Sequence, residues 1–417
     1  MTRRPKYSLI ALSLVALFFG STSCEDIDNE NLQGNWYNTF KYFPGTPRGG
    51  AVCFTIELDG KPCAFVGTGA NTNKTEEQER FRDFYMATPN DSTGLPVWTA
   101  RYDKLYSTSD TSRASITAPY HKEDAKYYQA VCSMPTDSEA IAMGVKAGCH
   151  ARNGAVGFSI NGKGYVGLGY DGTNFLKDFW CYDPETNKWS LAPEYPGDAC
   201  RYACSFVIDN IAYVGGGEDY DQNILGDFYK FDGNTWTQIK TIGVPRSQAT
   251  AFTCNGKGYV FGGINGSAIT AFQCYNPETE DWEDLRMLKN YTRDSFDDQY
   301  VNLASYGSTS FVVYDNTPDC RAYVTTGGAS GVSTLTWEYN PFYDYWVQKT
   351  SFEGAARKFA VSFVFDNTDF GSGYGPISRG FVTTGSTSDM SITGQSAAFY
   401  ADTYMFQPQA PKEILDN

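Results

Sequence analysis

Six times along this chain the same order of residues returns, and that repetition limits the fold more than any other feature. The clearest copy runs from Arg246 to Trp282. An apolar run, Ala249–Thr253, meets an Asn255-Gly256 turn, and a second run, Gly258–Phe261, ends in Gly262-Gly263. A polar loop follows, then a third run around Phe272–Tyr275, a turn at Asn276-Pro277, and Trp282. Two apolar runs joined by Asn-Gly signal a hairpin, because both turn residues tolerate positive φ. The copy reads as one four-stranded unit.

Five further stretches align with it. Arg152–Trp189 and Arg201–Trp236 are nearly as compact; Arg48–Trp98, the segment ending at Trp346 and the segment from Arg357 onward are looser. An aromatic opens each second strand (Phe65, Tyr165, Tyr213, Tyr259, Tyr323, Phe381), and a glycine follows four residues later (Gly69, Gly169, Gly217, Gly263, Gly327, Gly385). Trp98, Trp189, Trp236, Trp282 and Trp346 close five units, while the sixth, with its third strand at Tyr404–Gln407, has no closing tryptophan. Trp36 stands before the first unit at the usual distance from Arg48, so it is expected to supply the last unit's outer strand. That would join the chain ends and remove exposed strand edges. A β-sandwich of repeated hairpins predicts no fixed tryptophan-to-arginine interval, yet four of those intervals lie between ten and twelve residues. The expected fold is all-β: a six-bladed propeller over residues 34–408, closed by its N-terminal strand, with a tail at 409–417. By length alone 417 residues suggest two or three domains, but a closed ring is one unit.

The aromatic, the glycine pair and the closing tryptophan resemble those of kelch-repeat β-propellers, in the superfamily that includes galactose oxidase. The pair is intact at Gly216-Gly217, Gly262-Gly263 and Gly327-Gly328, degenerate at Gly67-Thr68-Gly69 and Gly167-Leu168-Gly169, and single at Gly385. The resemblance implies that each blade is entered at its innermost strand. It also implies that blade-to-blade links and the loops after the glycines open on one face.

Residues 1–23 read as a targeting segment: a basic start at Arg3, Arg4 and Lys6, an apolar run Ser8–Gly20 too short for a comfortable span, then Ser21-Thr22-Ser23 before Cys24. The junction resembles a bacterial lipoprotein cleavage site, which implies lipidation of Cys24. The acidic run 24–33 resembles the surface-export signal of Bacteroidetes lipoproteins; a plain solvated tether is the alternative. The expected location is therefore the outer membrane or cell surface, by a lipid anchor. Loss of 1–23 would take the formal charge from −15 to −18, which argues against a nucleic-acid partner. With Cys24 acylated, ten of the eleven cysteines remain, with Cys53/Cys63 and Cys132/Cys149 as candidate disulfides and no Cys-x-x-Cys pair to suggest zinc or redox chemistry.

An insertion, 99–151, carries Tyr120, His121, Tyr127 and Tyr128 and is expected to fold over the mouth, with one short helix at Glu139–Met143. The alternative is a lobe along the outer side of the first two blades. Arginine stands six residues before the first-strand phenylalanine at Arg48, Arg152, Arg246 and Arg357; Arg201 stands five before Phe206, which aims it differently. Arginine recognises carboxylates through paired planar hydrogen bonds, so the group suggests an anion-binding mouth. Bonding to loop carbonyls is the plainer reading for any single one. The loops after the glycines add Asn174, Glu218, Asp219, Tyr220 and Asn265, residue types that suit sugars.

These residues suggest a non-catalytic protein that binds a glycan or acidic peptide, with no cofactor and no metal. A sugar isomerase of the sialic-acid mutarotase kind, using Glu218 with Arg201 or Arg246, is the runner-up. A scaffold in a surface complex is third. A galactose-oxidase copper site is disfavoured because His121 and His150 are the only histidines and lie in or beside the insertion.

Overall fold

The structure, a computed structural model, describes residues 34–73, 79–99, 130–145, 148–290, 300–368, 377–388 and 397–408. The targeting segment with Cys24, the acidic tether, the tail and the insertion residues Tyr120, His121, Tyr127 and Tyr128 lie outside them. Strand β1 (Asn35–Tyr42) precedes blade 1, made of β2 (Val52–Leu58), β3 (Lys61–Gly67), β4 (Asp83–Pro89) and β5 (Pro96–Thr99). A short β6 (Cys132–Ser133) adds to β4. Blade 2 is β7 (Val156–Ile160), β8 (Lys163–Gly167), β9 (Phe179–Asp183) and β10 (Lys188–Ala192); blade 3 is β11 (Cys204–Ile208), β12 (Ile211–Gly215), β13 (Phe228–Phe231) and β14 (Trp236–Gln238). Blade 4 is β15 (Thr250–Cys254), β16 (Lys257–Phe261), β19 (Phe272–Asn276) and β20 (Asp281–Asp284), with a small loop hairpin of β17 (Ile264–Asn265) and β18 (Ser267–Ala268). Blade 5 is β21 (Thr309–Val313), β22 (Arg321–Thr325), β23 (Thr336–Asn340) and β24 (Tyr345–Lys349). Blade 6 is β25 (Val361–Thr368), β26 (Ile377–Thr383), β27 (Asp402–Gln407) and, from the other end of the chain, β1.

The fold is thus a six-bladed β-propeller closed by its N-terminal strand. Trp36 lies opposite Phe406. Its indole donates to the Thr350 carbonyl just after blade 5 (3.1 Å), as Trp236 does to Pro193 (2.9 Å) and Trp282 to Lys240 (2.8 Å). In these three blades the closing tryptophan caps the exit of the blade before it, and Trp36 does so across 314 residues of sequence; the indole nitrogens of Trp98, Trp189 and Trp346 are buried without such a bond. Between blades, the first-strand phenylalanine presses on the second strand of the next. Phe54, Phe206 and Phe311 pack so closely on Gly164, Gly258 and Gly380 that any Cβ there would lie within 2.3 Å of the ring.

A second closure surrounds the axis. Gly50, Gly154, Tyr202, Gln248, Gly307 and Phe359 hold equivalent positions, each with φ between 55° and 66°. Each N–H donates to the carbonyl of the residue one blade back, at 2.7–3.1 Å, and Gly50 completes the circle on Phe359. The glycine pair has a constant backbone too. Its first residue is left-handed even as Thr68, Leu168, Thr326 or Thr384, while the second reaches φ of 91–106° at Gly69, Gly169, Gly217, Gly263 and Gly385. In blade 5 the turn is made by Thr326-Gly327, one residue earlier than the Gly327-Gly328 reading, because it is the Gly327 N–H that meets the Arg357 carbonyl.

The described part of the insertion holds one helix, α1 (Asp137–Ala142), with Thr136 and Glu139 forming a reciprocal capping box. Val131, Met134, Ala140 and Cys149 pack with Phe84, Tyr182 and Trp189, so this part wedges beside blades 1 and 2. Neither expected disulfide forms. Cys53 lies opposite Val66 and Cys63 opposite Ile56, so the two do not face across the ladder. Burial pushes the Cys149 thiol up to about 12, consistent with an inert core thiol. The disulfide among the described residues joins Cys254 of blade 4 to Cys320 of blade 5.

Candidate functional site

The arginines of the repeat separate into two groups. Arg48, Arg152, Arg246 and Arg357 are fully buried. Each donates through Nε to the carbonyl two residues earlier and through Nη1 to the first residue of the glycine pair (Thr68, Leu168, Gly262, Thr384). In three blades an aspartate just before or at the start of the third strand takes the guanidinium in a fork: Asp83, Asp178 and Asp402. In blade 4 the corresponding residue is Ala271, and Arg246 turns to the Gln273 side chain at 2.5 Å. Burial there lowers the Arg246 guanidinium to about 10, with Cys204 and Asp284 opposing. The expectation of an arginine-lined mouth is therefore corrected for these four. Their donors are spent inside the blades, holding the link to the third strand.

Arg201 escapes this role by one residue. The clamp position of blade 3 is Cys200, whose Sγ lies 3.8 Å from the Gly216 carbonyl, where the other blades put an arginine. Arg201 follows it, and its side chain is 13% exposed and paired with Glu218 at 2.6 Å. Its guanidinium lies over Tyr170, Phe175 and Tyr202 at 5.4, 5.1 and 5.0 Å. Phe175 meets Tyr170 and Tyr220 edge to face. All of these but Tyr202 line a cleft of about 670 Å³ with Gln222, Ile224, Gln248, Ile264, Asn265 and Gly266. It lies off the axis, among the loops that follow the glycine pairs of blades 2, 3 and 4.

On the axis there is less room. A chamber of about 150 Å³ beneath the left-handed ring is bounded by Tyr202, Gln248 and Phe359, and a lower one of about 230 Å³ by small inner-strand residues. Tyr202 and Phe359, both in the lining of the first chamber, stack on each other at 5.2 Å.

Comparison with known proteins agrees with this architecture. A family profile described as the KLHDC2/KLHL20/DRC7 Kelch-repeats domain matches residues 121–263, and the Kelch motif matches 245–286. The fold is a kelch-repeat β-propeller. The chain is similar to Kelch-like protein 25 of Xenopus tropicalis (29% identical, covering 28% of this chain and 20% of that protein). It is also similar to Kelch-like protein 24 of Rattus norvegicus (34%, covering 24% and 16%) and Kelch-like protein 23 of Homo sapiens (25%, covering 58% and 43%). The matched region thus spans less than half the length of each of these relatives.

Within this kelch propeller, the ten sequence-derived ligand candidates divide sharply. Arg201, Glu218, Tyr220 and Asn265 share the cleft. Asn174 and Asp219 stay outside its lining and instead close their own loops, Asn174 onto Asp171 and Asp219 onto Asn223. Phe175, Ile224, Gln248 and Ile264 were not foreseen as site residues. The register of Gln248 is legible, two residues past Arg246 in the repeat, but its inward position follows only from the ring.

Proposed function

We propose that this kelch propeller is a non-catalytic recognition module that binds a neutral, hydroxyl-rich glycan in the cleft between blades 2, 3 and 4. The observation that carries the reading is the Arg201–Glu218 pair at 2.6 Å among Tyr170, Phe175 and Tyr220. Glu218 offsets the one candidate arginine that reaches the cleft, so the pair favours neutral ligands over acidic ones. It also sets N–H donors beside carboxylate acceptors, a pattern that suits neighbouring hydroxyls. Tyr220, 73% exposed, offers a stacking face, and Gln222, Gln248 and Asn265 supply amides. The volume suits a short oligosaccharide. A mutarotase-type isomerase would need Glu218 available to move a proton, whereas here Arg201 holds it. The kelch-like relatives favour a second reading, a scaffold for a protein partner.

The protein is further proposed to be held at an outer membrane or cell surface by lipid on Cys24, on the basis of the Ser21-Thr22-Ser23-Cys24 junction. Mass spectrometry of the mature N-terminus tests this; an unmodified residue other than Cys24 there rejects it. A glycan array followed by calorimetry tests the cleft. Tyr220→Ala should weaken binding of any neutral glycan found, with an unchanged melting temperature. Retention only of acidic peptides, or of no glycan, rejects the reading.

A further inference from the structure

The cleft meets the axial chamber at one residue, Gln248, which lines both. The residue is 9% exposed, and its buried Oε1 has no hydrogen-bond partner. The adjoining Ser247 hydroxyl is likewise buried without a partner. The backbone of Gln248 is pinned on both sides: its N–H donates to the Tyr202 carbonyl (3.0 Å) and its carbonyl accepts from Gly307 (2.9 Å). Its φ of 57° is a conformation that three other blades give to glycine. A glutamine here carries both backbone strain and an unmet acceptor, and glycine would avoid each. Strain and an orphaned buried polar atom at one position point to a role in binding.

Resting on the glycan reading above, we infer that Gln248 is the specificity-determining residue of the cleft, its carboxamide hydrogen-bonding a hydroxyl of the bound glycan. A carboxamide both donates and accepts, so it pairs with a sugar hydroxyl in either sense and carries no charge to hold an anion. The chamber beyond is about 150 Å³ with Tyr202 and Phe359 in its lining, room for the edge of one sugar ring rather than a chain. The glycan therefore enters by its end, and its terminal ring meets Gln248 while the following ring lies toward Tyr220.

Lactose, maltose, cellobiose and N,N′-diacetylchitobiose serve as probes for the full mature chain, by calorimetry and saturation-transfer NMR. At least one should bind, with the strongest saturation on a terminal ring. Gln248→Gly should weaken that sugar about tenfold, the worth of roughly one hydrogen bond, while the melting temperature holds or rises. Gln248→Met keeps the bulk and loses the carboxamide, so it should weaken the sugar as Gln248→Gly does; binding like wild type would overturn the role of the amide. If Gln248→Gly binds as wild type while Tyr220→Ala is weakened, the cleft reading stands and the role of Gln248 is overturned. If no probe binds the unaltered protein, the glycan reading fails and this inference falls with it.

Discussion

The clamp arginines show how a single residue type can serve the fold at four sites while a fifth, Arg201, lines an open cleft. Asp178 is the informative partner. Burial pushes its carboxyl up, but the Arg152 charge and the hydrogen bonds from Arg152 and Trp180 outweigh it and hold it below the ordinary range. Its folded-state pKa is depressed, so the stabilisation is complete above the unfolded value near about pH 4 and is lost as pH falls through the folded value. Asp178→Asn should therefore cost stability at neutral pH, with the gap to wild type narrowing below about pH 4 in urea midpoints. Arg152→Ala removes the fully buried half of the fork and leaves the part-exposed carboxylate with the Trp180 indole donor; it should cost at most about 3–5 kcal/mol. A near-unchanged melting temperature would show that the fork is ornamental. Blade 4 offers the converse test. Ala271 stands where three other blades have the clamp aspartate, so Ala271→Asp should give Arg246 a charged partner. A gain of about 1–3 kcal/mol is expected, measured as a higher midpoint in chemical denaturation.

Among the elements, β1 matters most for closure. It contributes the outer strand of blade 6 and buries Trp36 against Phe311, Phe352 and Phe406. Thr350 adds a hydroxyl bond to the Gly34 carbonyl, fastening the strand to the end of blade 5. Trp36→Ala should cost about 3–5 kcal/mol, through lost burial and a cavity. Removing residues 34–42 uncovers the edge of β27, and sedimentation should then show oligomers or an unfolded chain. A monomer with unchanged melting would mean that the ring closes without this strand.

At the scale of the molecule, inter-blade contacts include the indole caps of Trp36, Trp236 and Trp282, the phenylalanine-on-glycine packing, the axial ring of hydrogen bonds and the bond from the glycine-pair N–H to the next blade's clamp-position carbonyl. The Cys254–Cys320 disulfide adds a covalent link between blades 4 and 5 and closes a loop with a sequence separation of 66. Such a loop is worth about 4 kcal/mol in the chain-entropy view. Cys254→Ser should lower the melting temperature, and reductant should lower the wild type to match while leaving the variant unmoved. A disulfide also suits the proposed extracytoplasmic location.

Local chemistry was enough to reveal the architecture. Asn-Gly turns, alternating apolar runs, the recurring aromatic-to-glycine spacing and six tryptophans at one position already imply six blades, and the stray Trp36 implies how they close. These signals are local because strands and turns are set by residues close in sequence. The ligand face was only half legible. From the sequence, Arg48, Arg152, Arg246 and Arg357 look like a guanidinium ring, and Arg201 looks like an imperfect copy. Only the folded chain shows that the perfect copies turn inward to Asp83, Asp178, Gln273 and Asp402, and that the one-residue offset sends Arg201 to Glu218. Gln248 was silent for the same reason. Whether a polar atom finds a partner depends on groups brought near from other blades, and the spacing of residues along one chain carries no record of them.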